Sequence, residues 1–174
     1  LALLQHILKV CLDIGQINTT RRSAGLPFLV LSLTHCCSSR GDELSQVLGL
    51  LISPLLACAG QKSYASDESD SNTKSSVIHA FNIIRNLVRD SRISNEMGPH
   101  MALIAKLCLD SFNSSYWDIR NASSMLLSSL ISRIFGPKHI NDLSSDSHNV
   151  DLREIEVKFD GLLEVFILFL RIDS

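Results

Sequence analysis

The chain has 174 residues, a net charge of −2 and 45% hydrophobic residues, enough to bury a sizeable core. A charge so close to zero lacks the overall basicity of many nucleic-acid-binding proteins. Four prolines and 6% aromatic residues among many aliphatic ones favour an all-α fold. Glycine-rich nucleotide loops, GxSxG elbows and metal-ligand spacings of histidine are absent from the sequence. We therefore expect no catalytic residue, metal, cofactor or small-molecule substrate, and no enzyme activity.

Apolar residues spaced three and four apart recur along the chain and predict helices, whereas sustained alternation with a period of two is hard to find. Pro27 and Pro54 lie inside the second and third of these helices and should kink them. The serine-rich acidic segment 61–75 and the similar segment 137–153 are predicted to be mobile loops, not domain boundaries. The predicted helices cover residues 1–14, 20–37, 42–59, 76–92, 99–112, 117–135 and 154–172.

The predicted helices also repeat. The fourth and sixth begin about 40 residues apart, and so do the second and fourth once the acidic insert is discounted, which is the period of paired-helix HEAT and armadillo repeats. Residues 118–122 (DIRNA) resemble the Asp-Val-Arg-x-Ala opening of the second helix of a HEAT repeat. The sequence therefore predicts an armadillo/HEAT-like α-solenoid of about seven helices. Because both ends lie in apolar runs and no methionine begins the chain, we expect residues 1–174 to be a single piece of a longer solenoid.

Arginine is concentrated on alternate predicted helices, which a solenoid would place in one layer. Within the fourth predicted helix, Arg85, Arg89 and Arg92 form a stripe about 80° round the helix from the apolar stripe. Like charges at this spacing repel, so the stripe indicates either a solvated face or contact with RNA or an acidic protein. The second, fourth and sixth predicted helices hold only two acidic residues, Asp90 and Asp118. Their arginines are Arg21, Arg22, Arg85, Arg89, Arg92, Arg120 and Arg133.

The pair Arg21 and Arg22 begins the second predicted helix, where the helix dipole disfavours positive charge. A carboxylate from a neighbouring helix or a bound phosphate should offset that cost. A structural salt bridge is the alternative to a binding role, with Gly25 allowing close helix approach and Pro27 setting a kink.

The single tryptophan, Trp117, opens the sixth predicted helix beside Tyr116. We expect it to be a packing anchor, because large aromatic side chains usually bury most of their surface. A platform on which a nucleic-acid base stacks is the alternative.

The five cysteines form no CxxC pair and lie in apolar, helix-like runs. We therefore expect reduced, buried thiols, as in intracellular proteins. The apolar segments 47–59 and 162–170 are too short to span a bilayer, which takes about 20 residues. The sequence thus predicts a soluble cytoplasmic protein that contacts no membrane.

Three blocks of the sequence, taken together, resemble one known family. They are RRSAGLPF from Arg21, HAFNIIRNLVRDSR from His79 and YWDIRNASSMLLSSLISRIFG from Tyr116. Their order and spacing resemble the core region of the thyroid-adenoma-associated protein family (THADA and its fungal relatives). The resemblance implies a large armadillo-like scaffold that is not itself an enzyme.

The resemblance further implies a partner, an FtsJ-type methyltransferase that adds a 2′-O-methyl group to a ribose in the tRNA anticodon loop. The scaffold would orient the tRNA and the enzyme, and the partner would supply the methyl donor and the chemistry. The alternative is a protein-only adaptor solenoid that binds an acidic peptide or helix. The family signature implies a functional role for Arg21, Arg22, Ser23, Gly25, Leu26 and Pro27, to which the arginine layer adds Arg85, Arg89, Arg92 and Arg120 as candidate RNA- or partner-binding residues.

Overall fold

A computed structural model describes residues 25–37, 41–60, 70–136 and 151–171, together with His6 and Lys9. Two short 3₁₀ turns, Ser91–Ile93 and Gly98–His100, flank the shortest helix. The described ranges contain no strand, which confirms the all-α prediction. The helices are α1 (Leu26–Cys37), α2 (Gly41–Ala59), α3 (Asp70–Arg89), α4 (Ser94–Met97), α5 (Met101–Ser111), α6 (Trp117–Phe135), α7 (Leu152–Lys158) and α8 (Leu162–Arg171).

The longer helices form two layers. In one layer α1, α3 and α6 lie side by side, and in the other α2, α5 and α8 do so. The layers pack on each other through the pairs α1–α2, α2–α3 and α5–α6. Alternate helices therefore share a layer, as in an α-solenoid. The described arginines of the first layer lie on α3 and α6, because α1 carries none and Arg21 and Arg22 lie outside the described residues.

The central helix is α3, because it contacts α1, α2 and α6. At about 100° per residue, its buried side chains leave a sector of roughly 160° for polar ones. Arg85 and Arg89 both lie in this open sector, the first half-buried and the second exposed. The buried side chains of α3 are Ser76, Val77, His79, Ala80, Phe81, Ile83, Ile84, Leu87 and Val88.

The first part of α3 corrects the prediction of a loop over 61–75. The helix begins at Asp70, so residues 70–75 are helical, while 61–69 lie outside the described residues. Lys74 places its Nζ 3.6 Å from the ring centroid of Tyr116, which ties this turn to the start of α6. The added turns are polar, so apolar periodicity could not reveal them. In the second predicted loop, 137–150 lie outside the described residues and α7 already begins at Leu152.

The prediction of one continuous helix over 154–172 is wrong. The chain turns between Lys158, where α7 ends, and Leu162, where α8 begins. Gly161 adopts a φ of 73°, which glycine reaches without steric cost. Phe159, inside the turn, is buried. Apolar residues continue through the break, so their spacing does not reveal it.

Pro27 does not kink a helix, which corrects another prediction. It lies in the first turn of α1, where the carbonyl of Gly25 accepts a hydrogen bond from the Leu29 N–H at 2.9 Å. A proline in the first turn removes no helical hydrogen bond. A Cβ on Gly25 would meet no atom within 4 Å, so close packing does not require glycine there. Pro54 does lie inside α2, as predicted.

The cysteine prediction is confirmed at two positions and wrong at one. Cys58 and Cys108 are free and buried, whereas Cys36 is free but exposed. Burial raises the pKa of both buried thiols, that of Cys108 to about 12. Across the described ranges, no helix is long and apolar enough to cross a membrane.

Replacing Phe81 with alanine should lower the free energy of unfolding by about 3–5 kcal/mol, because its ring is fully buried in the centre of the fold. The matched control is Phe28→Ala on α1, whose side chain is 62% exposed, and it should cost less than about 1 kcal/mol. Urea unfolding followed by circular dichroism measures both values. Equal losses would contradict the central position of α3.

Candidate anion-binding groove

A groove lies between α3 and α6, the two neighbouring helices of the arginine layer. Its volume is about 360 Å³. Among the described residues, every polar side chain that lines it is either a guanidinium or a serine hydroxyl, and none is a carboxylate. The arrangement suits an oxyanion, which guanidinium groups bind by charge and by hydrogen bonds. The lining residues are Val88 and Arg89 from α3 and Ser128, Ser129, Ser132 and Arg133 from α6.

On the α6 side of the groove the side chains project little, because the serines donate hydrogen bonds back to their own helix. Ser129 donates its hydroxyl to the carbonyl of Met125 at 3.0 Å, and Ser132 donates to that of Ser128 at 2.9 Å. Such bonds hold the small side chains against the helix surface. Room is therefore left between the helices for a ligand.

Three arginines approach the groove with different degrees of freedom. Arg85 donates its Nε–H to the Ser129 hydroxyl at 3.3 Å, and Arg133 donates from Nη2 to the carbonyl of Asp90 at 3.1 Å. Arg89 is exposed and has no hydrogen bond or ion pair within the described part of the chain. Partial burial and, next, the charge of Arg89 lower the pKa of Arg85. A bound anion would relieve this repulsion between the two guanidinium groups.

Asp90 closes α3 and connects four elements beside the groove. Its Oδ1 accepts the Arg92 backbone N–H at 2.8 Å, and its Oδ2 accepts Arg92 Nη2 at 2.8 Å. His35 Nε2 of α1 lies 3.2 Å from Oδ2, and Arg133 of α6 binds the Asp90 carbonyl. The hydrogen bond from the Arg92 side chain is the main reason that the pKa of Asp90 falls to about 2. Because Arg92 and His35 already pair with it, this carboxylate does not neutralise the groove.

The predicted stripe of three arginines is a pair in the structure, because α3 ends at Arg89. Arg92 belongs to the following 3₁₀ turn, which Asp90 caps, and its guanidinium is bound to Asp90 although its side chain is 67% exposed. Arg120 lies in the first turn of α6 and donates from Nη1 to the carbonyl of Ser114 at 2.6 Å. Of the described candidate arginines, Arg89 lines the groove, and Arg85 reaches it through its hydrogen bond to Ser129.

The family signature lies apart from these arginines along the chain. Arg21, Arg22 and Ser23 lie outside the described residues. Gly25 is exposed, and Leu26 and Pro27 are half-buried at the start of α1. None of the three described positions lines the groove.

Sequence reasoning missed the serines of the groove and the place of Arg133 within it. Ser128, Ser129 and Ser132 precede Arg133 within about one and a half turns of helix, a spacing that is visible in the sequence. No signal in the sequence alone could show that this side of α6 faces Arg89. That juxtaposition depends on how α3 and α6 pack.

Comparison with known proteins gives a consistent set of relatives. A family model described as THADA/TRM732, DUF2428 matches residues 2–118. The chain is 37% identical over 150 residues to the tRNA (32-2′-O)-methyltransferase regulator THADA of Mus musculus, an alignment that covers 85% of this chain and 7% of that protein. Identity to the Homo sapiens protein of the same name is 35% over 148 residues, with the same two coverages.

The tRNA (32-2′-O)-methyltransferase regulator trm732 of Schizosaccharomyces pombe is 29% identical over 133 residues, which cover 76% of this chain and 9% of that protein. The chain therefore spans less than a tenth of the length of these relatives. No solved structure gives a significant match.

Replacing Asp90 with asparagine should destabilise the protein most near neutral pH. Because the folded-state pKa of about 2 lies below the ordinary value of about 3.9, the carboxylate contributes stability that is fully present above about pH 5. That contribution is lost as the pH falls through about 2, so the gap between the two proteins should close in acid. Urea unfolding of both at pH 7, 4 and 2 measures it. A gap that does not change with pH would show that the charge of Asp90 adds nothing.

Proposed function

The chain belongs to the THADA/TRM732 family, and we propose that it acts as a non-catalytic scaffold for an FtsJ-type tRNA 2′-O-methyltransferase. Its relatives are named as regulators of a tRNA (32-2′-O)-methyltransferase, which supports a regulatory part in that reaction. The partner enzyme binds the methyl donor and methylates a ribose of the anticodon loop in the cytoplasm. The solenoid, of which residues 1–174 form one piece, orients the tRNA and the enzyme.

The observation that carries this proposal is the groove between α3 and α6. Arg89 and Arg133 supply positive charge at its edges, and Ser128, Ser129 and Ser132 leave space between them. Without a carboxylate among the lining residues, the groove favours a phosphate group of RNA. Phosphate contacts orient a nucleic acid without reading its bases, and orientation is the task of a scaffold.

The arginines divide this task according to their contacts. Arg89 contacts phosphate directly, because no protein group within the described ranges binds it. Arg133 and Arg85 each keep one hydrogen bond to the protein, to Asp90 and Ser129 respectively, and add charge from fixed positions.

The remaining candidate residues form a second group. The guanidinium of Arg92 remains accessible to a partner, since its side chain is 67% exposed. Arg120 holds the turn before α6 and adds charge at that end of the helix. The signature residues contact the RNA or the methyltransferase, and they are Arg21, Arg22, Ser23, Gly25, Leu26 and Pro27.

The alternative is an adaptor solenoid whose groove takes an acidic peptide or helix. Carboxylates would bind the same guanidinium groups. The two functions differ in their dependence on tRNA. Only the scaffold requires that tRNA binding weaken with salt in proportion to the phosphates contacted.

Replacing Arg89 with alanine should weaken tRNA binding and reduce the slope of log affinity against log salt by about 1, because one phosphate contact is lost. The matched control is Lys106→Ala on α5, which also removes one exposed positive charge; Lys106 pairs with Asp110 at 3.6 Å instead of facing the groove. Filter binding at several salt concentrations measures both variants. Equal slopes for wild type and Arg89→Ala would refute the role of the groove in tRNA binding.

The double variant Arg21→Ala/Arg22→Ala should lose 2′-O-methylation of the anticodon loop in an assay with the partner enzyme. We expect the loss because the pair contacts RNA or the enzyme. Circular dichroism must first establish that the variant is folded. Full methylation by a folded variant would show that the pair only braces the structure.

A further inference from the structure

The sequence predicts that Trp117 anchors packing, but the structure exposes 66% of this side chain at the first residue of α6. Tyr116 takes the packing role, since it is half-buried against the core and lies under Lys74. An exposed tryptophan ring adds little to the stability of the fold, and such surface often marks a binding site. The ring is therefore available to a ligand.

Trp117 shares the solvent-exposed side of α6 with the groove. At about 100° per residue, Ser128 lies only about 20° from Trp117 round the helix and about 16 Å further along it. Asn121, Ser124 and Met125 lie between them and are all exposed. Between Trp117 and Ser128 only Met125 adds exposed apolar surface, and the exposed Ile131 and Phe135 lie beyond Ser128. The strip between Trp117 and the groove therefore lacks the continuous apolar stripe that a partner helix would need.

Positive charge lies near both ends of this strip. At the groove end are Arg89 and Arg133. At the other end Arg120 follows Trp117 by three residues, the spacing at which helix side chains are neighbours, and Ser114 fixes its guanidinium. The single carboxylate of α6, that of Asp118, lies about 100° from Trp117 round the helix. The charge of the strip thus complements a nucleic-acid backbone.

We propose that Trp117 stacks on an unpaired base of single-stranded RNA whose backbone runs along α6 to the groove. This inference rests on the proposed function and adds to it the kind of RNA bound, a single strand. An aromatic platform joined to a basic groove is a common way to bind a single strand. A duplex offers no unstacked base along its length, so it should not use Trp117.

Fluorescence tests the proposal directly, because Trp117 is the only tryptophan in the chain. A single-stranded oligoribonucleotide carrying a terminal dye should bind, as its anisotropy shows, and should quench the emission of Trp117. A duplex RNA of equal length should bind through phosphate contacts with little quenching. Binding of the single strand without any change in tryptophan emission would overturn the stacking proposal and leave the proposed scaffold function intact. Failure of the wild type to bind any RNA at low salt would overturn both.

Variants give a second, independent readout. Trp117→Ala should weaken single-strand binding by about 5- to 100-fold, while Trp117→Phe should keep most of the affinity. The control is Leu103→Ala on α5, which removes another exposed hydrophobic side chain, 56% accessible, and should leave affinity unchanged. Thermal melting followed by circular dichroism checks that each variant is folded. Unchanged RNA affinity of a folded Trp117→Ala variant would overturn the proposal.

Discussion

The burial of α3 against three other helices is the constraint on which the rest of the structure depends. Side chains over more than half of its circumference are buried against α1, α2 and α6. A guanidinium group cannot be buried there without a partner, so the charged side chains of this helix must lie in the open sector. Arg85 and Arg89 consequently emerge beside α6. The same packing that stabilises the core therefore creates the basic side of the groove.

Asp90 separates the arginines that stabilise the structure from those that remain available. By capping the 3₁₀ turn it ends α3 after Arg89, and by binding Arg92 it removes that charge from the helix face. Through its carbonyl it also holds Arg133 at the groove. A chain with a net charge of −2 can thus present a local positive surface, because among the described residues no carboxylate lines the groove and Asp90 is paired.

A scaffold function places different demands on a sequence than catalysis does. Catalysis needs a few reactive groups held close together, whereas positioning an RNA needs charge and shape spread over a surface. Under the proposed function, α6 would meet this second demand with serines that bond to their own helix and with an exposed tryptophan. The chain spans about 7% of the length of its mouse and human relatives.

The sequence by itself determined the helical class, the alternation of layers and the presence of arginine on α3 and α6, because apolar spacing and charge are local properties of the chain. It could not determine the early start of α3 at Asp70, which a contact with Tyr116 supports, or the break at Gly161, where apolar residues continue. It also left open whether Trp117 packs or faces solvent. Only the tertiary structure decided these points and brought Arg89 opposite the serines of α6, because each depends on residues that are distant in sequence and meet only when the layers pack.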